Sequence, residues 1–113
     1  MSEIKLERAL TAIDKNHPFG RFFNVCHANP NRPIVLLFRT VIIAALYDSL
    51  KGCEAAKTWL LTESDDLAEV ADYAALSSGW VRRIAHQAIT GEIQLPSYRL
   101  WRYVWADLQQ KNG

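Results

Sequence analysis

The sequence predicts an all-α protein, a bundle of about six helices. Three features point there. Apolar residues recur at helical spacing along most of the chain, proline and glycine punctuate those stretches, and one long apolar run lies between Pro33 and Gly52. With 113 residues, half of them hydrophobic, the chain can bury one core and reads as a single domain, 1–113.

Residues 2–15 read as the first helix, with Leu6, Ala9, Leu10 and Ile13 on one stripe and Glu3, Glu7, Arg8 and Asp14 on the wet side. Residues 16–33 break the pattern with Asn16, Pro18, Gly20, Pro30 and Pro33. This loop carries Phe19, Phe22 and Phe23 around Arg21, and loop aromatics of this kind anchor to a core. The alternative is an arm that sets Arg21 and Arg32 on phosphates. Pro33 suits a helix start, because its missing N–H is not needed there. Residues 34–51 then form the most apolar helix, with Ile34–Phe38 and Val41–Tyr47 apolar and only Arg39 and Thr40 between those two runs. A membrane span takes about 20 apolar residues. This run is shorter and holds an arginine, so it predicts a central helix buried on most sides, with some surface left for a second copy of the chain.

After Gly52, residues 53–61 predict a short helix with Ala55, Ala56, Trp59 and Leu60 inward. Thr62, Ser64 and Asp66 each offer an N-cap, and Asp66 with Glu69 has capping-box spacing. The helix that follows runs to about Ala75 and carries Asp65, Asp66, Glu69 and Asp72 with no positive charge. Ser77 caps another helix through about Thr90, and Gly91 stops it. Pro96 opens a last helix, 97–110, whose inner side is Trp101, Val104, Trp105 and Leu108.

Function concentrates in residues 67–86, LAEVADYAALSSGWVRRIAH. Two short helices joined by a few residues meet steeply and need small side chains where they cross. Val70, Ala71 and Ala74 supply these on the first helix, Val81, Ile84 and Ala85 on the second. The spacing is that of a helix-turn-helix over about 65–90. The turn position that demands left-handed backbone is Ala75, where glycine is usual; a Cβ there costs about 1 kcal/mol.

The second helix is the expected reader. Arg82, Arg83, His86 and Gln87 should face base edges, since arginine matches guanine O6 and N7 and glutamine matches adenine N6 and N7. Ser77 and Ser78, at the free N–H groups of the helix start, suit phosphates, as do Arg99 and Arg102 on the last helix. Gly79 allows a close backbone approach. Trp80 is expected to pack beneath the helix, the alternative being a contact with the DNA backbone. Charge is consistent with this location. Residues 1–76 carry eight Lys/Arg against ten Asp/Glu, residues 77–113 five against two. The carboxylates of the preceding helix would oppose DNA if they faced it.

Other chemistries find little footing. The spacings of His17, Cys26, His27 and Cys53 match no zinc pattern, so no metal and no cofactor is expected. The N-terminal residues lack a basic stretch followed by an apolar one, so no export signal is expected and both cysteines read as reduced thiols in the cytoplasm. No nucleophile has a readable partner and no glycine-rich phosphate loop appears, which predicts a non-enzyme.

Across residues 44–90 the chain resembles short helix-turn-helix regulators of phages, prophages and gene-transfer agents. In these a Trp-Leu helix precedes the motif. The matching residues are Trp59, Leu60, Asp66, Val70, Ala74, Leu76, Val81, Arg82 and Arg83. The resemblance implies a small transcriptional regulator that reads double-stranded DNA. A monomer's few phosphate contacts would bind weakly, so a homodimer or an RNA polymerase partner is expected, with no membrane. The other reading is an interaction module that docks on another protein through the same helices.

Overall fold

The computed structural model describes Phe22 and residues 28–95. The chain divides into two compact units, residues 28–94 and a second made of 1–27 with 95–113. The expected helices 2–15 and 97–110, with Arg21, Trp101 and Trp105, lie outside the described residues. Of the loop aromatics Phe22 is described, and it is fully buried.

Among the described residues there are four helices and no strand, so this part of the protein is all-α. They are α1 Arg32–Leu50, α2 Glu54–Leu61, α3 Asp65–Tyr73 and α4 Ser78–Ile89. Helix α1 is the hub and packs against each of the other three; α4 also packs on α2 and α3. The core that joins them consists of Val35, Leu36, Ile42, Ile43 and Leu46 of α1, Leu60 of α2, Leu67 and Ala71 of α3, and Val81, Ile84, Ala85 and Ala88 of α4.

Pro33 sits in the first turn of α1, and Gly52, at φ +100°, follows its end. By length and composition this helix of 19 residues, mean hydropathy 1.7, is apolar enough to cross a membrane. Its apolar surface is nevertheless not covered all round. Ile34, Leu37 and Val41 are exposed on one side, at 50, 61 and 44 %. The sequence predicts burial on most sides; among the described residues, α2, α3 and α4 leave this stripe uncovered. Helix α2 also departs from expectation: Leu60 is its buried residue, Ala56 and Trp59 are half-buried and Ala55 is exposed. Eight residues make barely two turns, which leaves room for one fully covered position.

Candidate nucleic-acid interface

Helix α3 begins at Ser64. Its hydroxyl accepts a hydrogen bond from the Leu67 N–H at 3.1 Å. Asp66, a candidate for that role, is taken up elsewhere: the Trp59 indole N–H donates to its carboxylate at 2.6 Å. The four carboxylates of α3, Asp65, Asp66, Glu69 and Asp72, are all exposed. Its buried side is Leu67 and Ala71.

The chain then reverses within four residues. Ala74 N–H donates to Val70 O at 3.0 Å, Ala75 N–H to Asp72 O at 2.9 Å, and Leu76 N–H to Ala71 O at 2.9 Å. That is the Schellman pattern of a helix end, with Leu76 buried over Ala71. It requires a left-handed residue, and Ala75 has φ +56°. No other non-glycine residue among those described has positive φ. The turn position read from the sequence as left-handed is therefore left-handed, in spite of its Cβ.

Ser77 starts α4, its hydroxyl accepting from the Trp80 N–H at 3.3 Å. Val81, Ile84, Ala85 and Ala88 are buried as their spacing predicts. Small residues line the crossing: Ala71, Ala74 and Ala85 are each fully buried. The end of α4 is closed by Gly91 at φ +83°, where the sequence predicts a stop.

The predicted reading residues divide into two groups. Arg83 and His86 are exposed, one turn apart, on the side away from the buried stripe, with Gly79 and Ser77 exposed above them. Arg82, Gln87 and Ser78 are half-buried, as is Trp80. The Arg82 side chain is 32 % exposed and its Nη1 lies 3.9 Å from the Glu63 carboxylate in the α2–α3 link. Its Nε is buried without a hydrogen-bond partner. Arg83 makes no ion pair among the described residues. A Cβ at Gly79 would meet only the Ser77 hydroxyl, at 3.5 Å, an ordinary contact, so nothing inside the fold calls for glycine there. Arg99 and Arg102 lie outside the described residues.

Sequence reasoning missed one residue that shapes this region. Arg39, in the middle of α1, is 5 % exposed, and its Nε donates to the Ala74 carbonyl at 2.8 Å, just before the left-handed turn. An arginine interrupting an otherwise apolar helix is the visible signal. Next to it, Phe38 stacks on Tyr73, ring centres 4.9 Å apart. Among the described residues no group of three metal-ligating side chains comes together, and Cys53 is a free thiol at the surface. No protein-family model, no curated protein and no solved structure matches this chain.

Proposed function

We propose that residues 65–89 are a helix-turn-helix and that the protein reads duplex DNA with α4, acting as a transcriptional regulator in the cytoplasm. The observation that carries this reading is the pairing of a left-handed turn at Ala75 with an outward α4 face bearing Arg83 and His86. Gly79 supports it. An exposed glycine that the fold does not need leaves space for a phosphate backbone beside the Ser77 and Ser78 helix start. Within this reading Arg83 and His86 carry the base contacts, and Gln87 reaches a flanking base. Arg82 divides its charge between Glu63 and the DNA. Arg99 and Arg102 are proposed for outer phosphates.

A homodimer fits the reading. Ile34, Leu37 and Val41 recur at three- and four-residue spacing, with β-branched residues flanking a leucine, which is the pattern of a two-helix seam. RNA polymerase is the other partner that would supply the missing affinity. The exposed carboxylates of α3 and the Glu63–Arg82 pair favour a second reading, in which the same helices dock on a protein.

Binding to random-sequence duplex DNA, measured against salt, separates the two. DNA binding predicts that log affinity falls linearly with log salt, by about 0.9 per phosphate neutralised. Replacing Arg83 and His86 together by alanine should abolish the preference for a sequence selected from a random DNA pool, with helical content intact. Binding that ignores salt, or a sequence preference that survives that double replacement, removes this reading.

A further inference from the structure

The geometry points to Arg39 as the positioning residue that holds the α3–α4 turn closed and so sets how α4 is presented. Its bearing on DNA rests on the function proposed above; its grip on the turn does not.

A helix leaves its last four C=O groups without intrahelical partners. At the end of α3, Val70, Ala71 and Asp72 accept the N–H groups of Ala74, Leu76 and Ala75. Ala74 itself is fully buried, so its carbonyl depends on a protein donor, and Arg39 provides one from 35 residues away. The bond is charge-assisted, and it brings a cation to the negative end of a helix that has no basic residue in its last turn.

The consequence falls on Ala75. The Ala74–Ala75 peptide plane is gripped at both ends, its oxygen by Arg39 and its N–H by the Asp72 carbonyl. Leu76, buried and bonded to Ala71 O, fixes where the chain must go next. With both sides fixed, Ala75 takes φ +56°, although an alanine prefers other backbone conformations. Relaxing Ala75 to negative φ would swing that peptide plane and pull Ala74 O off Arg39. Glycine would take the left-handed conformation without resistance. In this chain the turn keeps its shape because Arg39 holds it.

The test is a double-mutant cycle of Arg39→Met and Ala75→Gly in the full chain, read by melting temperature and by affinity for random-sequence duplex DNA. Arg39→Met should lower the melting temperature by several degrees and weaken DNA binding about tenfold under conditions where the protein is folded. Ala75→Gly alone should leave affinity unchanged. In the Ala75→Gly background the loss from Arg39→Met should shrink to about threefold or less. Equal losses in both backgrounds overturn the proposal. If the wild type binds no DNA, the DNA reading fails, while the melting temperatures still judge the grip. Should Arg39→Met not fold, the wild-type protein decides. Its Arg39 Nε–H must exchange slowly with water and show a through-bond NMR coupling to the Ala74 carbonyl; fast exchange without coupling overturns the assignment.

Discussion

At the scale of single residues, the exposed side of α4 asks for different things from neighbouring positions. Among the described residues Arg83 has no carboxylate to neutralise it, whereas Arg82 leans on Glu63 at 3.9 Å. Because Glu63 is 83 % exposed, that pair contributes little to stability. Glu63→Gln should therefore leave the melting temperature unchanged, strengthen DNA binding and steepen its salt slope by up to about 1, as a second cation becomes available. Gly79 gives the opposite separation. An alanine there meets only ordinary contact, so Gly79→Ala should leave the fold as stable or slightly more stable while weakening DNA binding. The two capping serines differ in the same way. Ser64→Ala and Ser77→Ala should each cost about 1 kcal/mol in thermal denaturation, and Ser77→Ala alone should also weaken DNA binding.

Much at this scale is legible in the sequence. The left-handed backbone of Ala75 and the cap at Ser77 both follow from local spacing. The cap of α3 is harder to place. Thr62, Ser64 and Asp66 are alternatives in sequence, and the choice is decided by Trp59, whose indole claims Asp66 from another helix. Arg82 and Arg39 are illegible for a related reason. The half-burial of Arg82 depends on where the link carrying Glu63 runs, and Arg39 meets a carbonyl 35 residues away. Periodicity reports which side of a helix is dry and says nothing about which distant group waits there.

At the scale of elements, periodicity is the stronger guide. Each described helix lies where the sequence predicts it, within a few residues, and the buried stripe of α4 is the expected one. What spacing does not show is how much of α1 its neighbours leave bare. The crossing of α3 and α4 is held close by alanines, and this carries its own prediction. Ala85 is fully buried at the crossing, so Ala85→Leu would force the helices apart and should cost about 1–3 kcal/mol in denaturant unfolding. Ala68, exposed on α3, is the control: Ala68→Leu should be close to neutral. Equal effects would mean that the crossing tolerates larger side chains, and that close packing does not set its geometry.

At the scale of the whole molecule, the proposed function requires that a small chain with a formal net charge of +1 gain enough affinity for DNA. One α4 offers few phosphate contacts, and each contributes a salt-sensitive increment. Doubling the reader is the direct remedy, since two α4 helices one turn of duplex apart, about 34 Å, bind as a unit. The bare stripe of α1 is where the proposed second copy would pair. Ile34, Leu37 and Val41 point away from the core, so charging them costs the monomer's interior nothing. Leu37→Glu with Val41→Glu should thus leave helical content unchanged, convert a dimer to a monomer in sedimentation, and reduce DNA affinity far more than two added negative charges can explain. Repeating the measurement in high salt isolates that last point, because screening suppresses the charge effect and spares the loss of avidity. A wild-type chain that sediments as a monomer at all concentrations, yet binds DNA tightly, would shift the missing phosphate contacts to Arg99 and Arg102 of the same chain.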